Sequence, residues 1–306
     1  MSLRVQSFGG RAQSDTAWTM SADAKDESAA HELVHLVFGL VASSPNGQLA
    51  DAFDDLAAWM RDHTEVSFEL RVAPTYKELT ASVREGSSDV AWLPPVAYAW
   101  LVEAVTPIGS VVRDGNTRYS SALLVRADGE VSALEQLQGK RAGWVDPWSA
   151  AGYVVPRIEL ARAGLDSATA FAAERFFGTH RDVLVALGNG ECDVIATYAR
   201  LVADEEAEDV EHVVDGPWLS AEGAPDVRVL GTFGPIPPDV LAARRNLAPA
   251  QYEKVAAAFR AVCSDPTGRA LMQGVFGGEQ IEEGGDLGHA TLRIAYESAM
   301  ARGIFD

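Results

Sequence analysis

The sequence predicts an α/β protein built from two similar lobes with a cleft between them. Three observations lead there. Thr75 to Val90 (TYKELTASVREGSSDV) and Thr179 to Val194 (THRDVLVALGNGECDV) share one construction. In each, an acidic residue follows the threonine by three positions (Glu78, Asp182), a glycine by eleven (Gly86, Gly190) and an Asp-Val pair by fourteen (Asp89, Asp193). That pattern is a capped helix, a glycine stop and the opening of a buried strand. Apolar runs also alternate with helical periodicity nearly throughout, which predicts mostly parallel sheets covered by helices. Finally, 306 residues suffice for two domains of ordinary size and a substantial core. Each copy of the repeat puts one side chain, Tyr76 or His180, at the first helical position. Facing lobes would turn both toward the space between them.

The elements follow in order. Residues 1–30 are polar and small and read as a flexible tail. His31 to Val41 is an apolar run that predicts a first strand, ended by the turn-rich stretch 42–47. Leu49, Phe53, Leu56 and Met60 recur at helical spacing, predicting a helix over 48–62. Val66 to Val72 alternates as a strand. After the first repeat copy, Asp89 to Leu93 is a strand that stops at Pro94-Pro95, where a ladder cannot continue. Val96 to Val105 predicts a short helix. Pro107–Val112 and Tyr119–Arg126 are strands around a turn at 113–116. Ser132 and Glu135 suggest a capping box and a helix closed by Gly139. Lys140 to Val145 is a strand, and the turn from Asp146 to Gly152 leads into a helix through Pro156 to Ala163. The second repeat copy and a strand at 195–198 follow. Asp204 to Glu211 is an acidic run that reads as a solvated face. Val227–Phe233 is a strand before the rigid turn 235–238. Helices are predicted after Pro249 and around Leu292 to Met300. The expected division is 31–115 with 215–306 as one lobe and 116–214 as the other.

Composition narrows the partners. With 25 Lys and Arg against 44 Asp and Glu, the formal charge is −19. That argues against nucleic acid or an anionic membrane surface as the main partner. A small anion is not excluded, because backbone N–H groups can hold one. No run approaches the ~18–20 apolar residues of a membrane-spanning helix. Cys192 and Cys263 lack metal-type spacing and read as two buried free thiols. His31 and His35 are spaced like metal ligands but lie in a strand-like run, so no metal site is assigned. Gly-x-Ser-x-Gly and P-loop signatures are missing.

The most informative local pattern is a strand, then Asp146-Pro147-Trp148-Ser149-Ala150-Ala151-Gly152, then a helix. A helix start carries unpaired N–H groups and partial positive charge. Small residues there let a ligand oxygen approach the backbone. The alternative is an ordinary cap, with Ser149 or Asp146 bonding its own helix. Trp92 and the Thr197-Tyr198 pair lie at strand ends, where open α/β sheets bind ligands; Trp92 can equally be core.

With these residues in hand, the chain resembles the phosphonate/phosphate-binding components of ABC transporters, within the type 2 periplasmic binding protein fold. The resemblance covers roughly residues 34 to 262. It is carried by Tyr76 in APTYKEL, SDVAWLPP (88–95), Tyr119 in RYSSALLVRADG, LQGKRAGWVDPWSAAGYVVPR (137–157), GTHRDVLVALGNGECDV (178–194) and GPIPPDVLAARRNL (234–247). It implies two Rossmann-like lobes joined by a hinge. It also implies a phosphonate-binding turn at Ser149, Ala150 and Ala151, a cleft His at His180, cleft tyrosines at Tyr76 and Tyr119, and a cleft Asp at Asp239. In the family's pattern the turn carries further hydroxyls where Ala150 and Ala151 stand here. Each absent hydroxyl removes a hydrogen bond of about 0.5–1.5 kcal/mol net. Pro238 stands where the family often has Gly.

The expected function is a solute-binding protein, not an enzyme. It would capture a small oxyanion such as a phosphonate or phosphate ester for ABC-type uptake. The expected ligand-binding set is Tyr76, Trp92, Tyr119, Trp148, Ser149, Ala150, Ala151, Thr179, His180, Tyr198 and Asp239, with no cofactor and no metal. Expected partners are the small ligand and an ABC transporter permease, the protein being a monomer that binds no nucleic acid and does not insert into a membrane. Localisation would be periplasmic or extracellular if a signal peptide was removed ahead of residue 1, otherwise cytoplasmic. Two alternatives stand beside this: a cofactor-biosynthesis enzyme on the same fold using His180 or Asp239 as its base, and a cytoplasmic ligand-sensing domain.

Overall fold

A computed structural model describes residues 33–305 except 42–48, 114, 166–168, 204–210, 222 and 285–287. The expected tail, His31, the turn at 42–47 and most of the acidic run lie outside the described residues. The first part of the chain forms β1 (Val34–Val41), α1 (Leu49–His63), β2 (Val66–Ala73), α2 (Tyr76–Glu85), β3 (Val90–Leu93), α3 (Pro95–Leu101) and β4 (Val105–Val112). Next come β5 (Tyr119–Arg126), β6 (Lys140–Trp144), α4 (Val155–Arg162), β7 (Phe171–Phe176), α5 (His180–Gly188), β8 (Val194–Ala203), β9 (Glu211–Asp215), α6 (Pro217–Ser220) and β10 (Val227–Ile236). The chain ends with β11 (Val240–Arg244), α7 (Pro249–Ser264), α8 (Pro266–Phe276), β12 (Gln280–Glu282) and α9 (His289–Ala301).

Two sheets organise these elements. The first runs β12-β4-β11-β3-β1-β2 and the second β10-β5-β8-β6-β7, with β9 paired to the far end of β8. Most strands of each sheet run one way, as the alternation predicts. Each sheet is nevertheless mixed: β11 and β12 run against the first sheet and β5 against the second. The chain crosses between sheets at 113–118 and returns at 237–239.

The repeat seen in the sequence is a repeat of hydrogen bonds. Thr75 Oγ1 accepts from the Glu78 N–H at 3.1 Å, and Thr179 Oγ1 from the Asp182 N–H at 3.0 Å. The Asp of each Asp-Val pair then ties its strand to the neighbour. Asp89 Oδ2 accepts from the Val37 N–H of β1 and Asp193 Oδ2 from the Arg141 N–H of β6, both at 2.9 Å. Each carboxylate also pairs with an arginine, Arg244 or Arg141. Gly39 and Gly143 hold matching places two residues on. A Cβ at Gly39 would come 2.8 Å from Ser88 Oγ, and one at Gly143 would come 2.9 Å from Cys192 Sγ. The close approach of helix to sheet is therefore glycine-dependent in both halves.

Burial stabilises each sheet. Phe38 is fully buried against Phe53, with ring centroids 4.8 Å apart, and against Phe68 at 5.5 Å. The apolar stripe Leu49, Phe53, Leu56, Met60 of α1 packs on the same core. In the second half Trp144 is fully buried, and its Nε1 donates to Glu174 at 2.6 Å.

Several expectations need correction. Residues 215–236 belong to the second half, because β10 pairs with β5 from Val227↔Arg126 to Ile236↔Tyr119. The return falls at 237–239, and α9 packs its Leu292, Tyr296 and Ala299 into the second half's core. The segment after Ser132 is a single 3-10 turn, Leu134–Leu137, and no helix reaches Gly139. Gln136 Oε1, not Glu135, accepts the Ser132 and Ala133 N–H groups. β7, β9, β11, β12, α6 and α8 were not anticipated. β7 is an edge strand exposed along most of its length, so its sequence carries little apolar alternation. Both cysteines are free, but only Cys192 is fully buried.

Candidate functional site

Between the two sheets lies a cavity of about 80 Å³, room for several water molecules. Its lining comes from strand ends and helix starts of both halves. From the first sheet come Val41 at the end of β1, Tyr76 at the start of α2, Trp92 in β3, Pro94 and Pro95 after it, Arg113 after β4, and Asp239 before β11. From the second come Tyr119 at the start of β5, Ser149 and Ala150 in the turn after β6, His180 at the start of α5, and Tyr198 and Arg200 in β8.

The turn after β6 is built as a helix start. Residues Ala150–Val154 form a π-helical turn that runs directly into α4. Ser149 Oγ accepts from the Gly152 N–H at 3.1 Å, leaving the hydroxyl proton free to donate. The Ala150 and Ala151 N–H groups precede any intrahelical acceptor. Ser121 Oγ holds the turn from behind by donating to the Ala151 carbonyl at 2.6 Å. A Cβ at Gly152 would come 2.3 Å from Val145 Cγ2, so the turn can be this tight only with glycine. Asp146 Oδ1 accepts from the Trp148 N–H at 2.7 Å, and the Tyr76 N–H across the cleft donates to the same carboxylate. Burial raises the proton affinity of Asp146 against those bonds.

His180 is fixed by a 2.8 Å hydrogen bond between Nδ1 and Thr197 Oγ1 and by the edge-on Tyr198 ring, 5.2 Å away. Burial pushes its pKa down to about 4, so the imidazole is neutral at pH 7. Burial likewise raises Tyr198 to about 12 and Tyr119 well above the usual phenol range, so both hydroxyls remain protonated donors.

The cavity lining also carries charge. Arg113 is 7% exposed; its Nε donates to the Phe276 carbonyl at 2.8 Å and its guanidinium lies 5.5 Å from the Trp92 ring centre. Its Nη2 is 3.6 Å from Asp239 Oδ2. Burial raises the Asp239 proton affinity, opposed by the Arg113 charge. Arg200 Nη1 donates to Asp215, which does not line the cavity. Trp92 Nε1 is buried without an acceptor among the described residues.

Of the expected residues, Tyr76, Trp92, Tyr119, Ser149, Ala150, His180, Tyr198 and Asp239 line this one cavity. Trp148, Ala151 and Thr179 do not. Trp148 packs beside Trp100, ring centres 6.4 Å apart. Ala151 is buried in the core of the second half. The Thr179 hydroxyl is used up by Asp182, accepting from its N–H and donating to its carboxylate. Val41, Arg113 and Arg200 were missed. Arg200 was findable, since it is two residues after Tyr198 and strand side chains two apart share a face. Arg113 looked like part of a surface turn. Among the described residues no group of His, Cys, Asp and Glu is arranged to hold a metal ion, and no helix is long and apolar enough to cross a membrane.

Comparison with known proteins gives a consistent picture. The phosphate-import protein PhnD of Mycolicibacterium smegmatis is 27% identical over 172 residues, 52% of this chain and 53% of that protein. The chain thus spans about half the length of this curated relative. Among solved structures, a binding protein component of an ABC phosphonate transporter from Pseudomonas aeruginosa superposes with a TM-score of 0.72 at 19% identity, covering 88% of this chain and 89% of that one. PhnD1 from Prochlorococcus marinus in complex with methylphosphonate gives 0.69 at 12% identity, covering 87% and 98%. These likenesses show the fold. The model of the ABC transporter phosphonate periplasmic substrate-binding proteins matches residues 38–286, and the chain belongs to that family.

Proposed function

We propose that the cavity captures a small phosphorus oxyanion, a phosphonate or phosphate, and that the closed protein presents it to an ABC-type permease outside the cytoplasmic membrane. One observation carries the reading: Ser149 and Ala150, at the start of a helix, line one cavity together with His180 and Tyr76. An oxyanion there would accept from the Ser149 hydroxyl and the Ala150 and Ala151 N–H groups. Tyr76 and Tyr119 would donate their hydroxyl protons to its remaining oxygens. The cavity volume suits a ligand of that size. Binding of phosphate-type ligands by the named relatives supports the same class. His180, neutral and bonded to Thr197, serves as a hydrogen-bonding wall in this reading, which favours binding over acid–base turnover.

Isothermal calorimetry with methylphosphonate, inorganic phosphate and an uncharged alcohol of similar size tests the proposal. Heat of binding with at least one anion and none with the alcohol is expected. Binding of the alcohol with no response to either anion would reject it.

A further inference from the structure

The uncharged donors of the site do not account for the charge in its lining. Arg113 and Arg200 both line the cavity, against one lining carboxylate, Asp239, among the described residues. Arg113 is 7% exposed, and of its N–H groups only Nε has a hydrogen-bond acceptor among the described residues, the Phe276 carbonyl. The 3.6 Å to Asp239 is an ion-pair distance, too long for a direct hydrogen bond. Arg200 donates from Nη1 to Asp215, a carboxylate outside the lining, and its Nε and Nη2 have no acceptor among the described residues.

Strand register brings these guanidinium groups to the helix-start turn. Ser121 of β5 donates to the Ala151 carbonyl of the turn, and Tyr198 of β8 is the cross-strand partner of Ser121. Arg200 is two residues beyond Tyr198, on the same face of β8, and both line the cavity. Arg113 arrives from the first sheet. Burial lowers its proton affinity, Asp239 opposes that, and the Arg200 charge lowers it further, so the two cations lie within electrostatic reach of each other. A cavity of about 80 Å³ has room for one small head group, which all of these groups would share.

We infer that Arg113 and Arg200 converge on the same oxyanion head as the Ser149 turn, and that they make the site select a doubly charged head over a singly charged one of the same shape. This rests on the oxyanion reading above and adds the charge that the site prefers. The Ser149 hydroxyl, the helix-start N–H groups and the tyrosine hydroxyls are uncharged donors, which match the oxygens of a sulfonate as well as those of a phosphonate. Coulomb attraction to a guanidinium grows with the charge of the head. A head with two charges also gives up more hydration, which cationic donors are best able to replace. The same N–H groups supply donors where Ala150 and Ala151 offer no hydroxyl.

Calorimetry at fixed ionic strength, at a pH where methylphosphonate carries two negative charges, compares it with methanesulfonate, which has the same shape and one charge. Methylphosphonate is expected to bind about tenfold tighter or more. Arg200→Gln is expected to weaken methylphosphonate binding more than methanesulfonate binding and so to narrow that ratio, and Arg200→Lys to restore part of it; thermal unfolding of each variant checks that it is folded. Methanesulfonate binding as tightly as methylphosphonate, or an unchanged ratio in folded Arg200→Gln, would overturn the charge selection and leave the oxyanion reading standing. Failure of both compounds and of inorganic phosphate to bind the wild type would overturn both.

Discussion

Tyr76 and His180 each begin a helix capped by a threonine, and the two rings line one cavity from opposite sheets. The caps determine where the rings point. A threonine that accepts its helix's third N–H fixes the direction in which the chain enters the first turn, and the next side chain follows from it. Beyond each helix, the Asp89 and Asp193 carboxylates bind a backbone N–H of the adjacent strand. Each helix is thus capped at its start and tied to its sheet just beyond its end. The wall of the cavity is a by-product of two identical local devices.

Those devices should be separately measurable. Thr75→Ala and Thr179→Ala are each expected to lower unfolding free energy by about 0.5–2 kcal/mol. The caps sit in different halves and share no partner, so the double variant should show close to the summed loss. Urea unfolding of the three variants checks this, and a double loss no larger than one single loss would contradict the independence of the caps.

The repeat, the caps and the glycine stops were legible in the sequence because they are local, written within a dozen residues. The partner-strand half of the repeat was not. Val37 and Gly39 match Arg141 and Gly143 only through contacts with residues some fifty positions on, and Val37 and Arg141 differ in type. The candidate site divides the same way. Tyr76, Ser149 and His180 were visible because each sits beside a cap. Arg113 was not, because its meaning depends on Asp239 and Phe276, distant in sequence. The lobe boundary at 215 failed for a related reason: β10 joins the second sheet through β5, a pairing that no local pattern announces.

Ala150 lines the cavity while Ala151 is buried behind it, so only the first is a candidate for an added hydroxyl. Ala150→Ser is expected to tighten methylphosphonate binding. A hydrogen bond to a charged oxygen is worth about 1.5–3 kcal/mol, or roughly ten- to a hundredfold. Ala151→Ser should bring no such gain, since Ala151 does not line the cavity. Titration calorimetry of both variants decides; equal gains would mean that the turn presents itself to the ligand differently.

His180 gives a pH signature. Its folded pKa is about 4 against an ordinary 6.5, so between those values the unfolded chain binds more protons than the native one. Stability therefore rises with pH across that window and is lost as pH falls from about 6.5 toward 4. Asp239 and Asp146 act in the opposite sense, because burial raises their proton affinity and favours the native state as they protonate. The His180 contribution appears in the difference between the wild type and His180→Gln. That difference should shrink by about 1–3 kcal/mol between pH 7 and pH 4 if the variant is the less stable at pH 7, or reverse sign. Chemical unfolding at a series of pH values measures it, and a pH-independent difference would show that His180 titrates normally.

Asp239 sets stability of the empty protein against affinity for an anion. Its carboxylate is the counter-charge to Arg113, whose guanidinium is 7% exposed. Asp239→Asn leaves that cation unbalanced and is expected to cost the ligand-free protein about 1–3 kcal/mol, below the full penalty for a buried pair because the contact is 3.6 Å and the Asp239 side chain is 22% exposed. The same change removes the one carboxylate that lines the cavity among the described residues. Affinity for methylphosphonate should then rise by about 1–2 kcal/mol, or five- to thirtyfold, if the interaction is screened as in a partly solvated site. Saturating methylphosphonate should accordingly raise the unfolding temperature of Asp239→Asn more than that of the wild type, since a ligand stabilises in proportion to the logarithm of its concentration over Kd. Scanning calorimetry of both proteins with and without ligand tests the two halves together. A variant that is less stable and also binds the anion more weakly would mean that Asp239 contacts the ligand directly, with its proton held for that purpose.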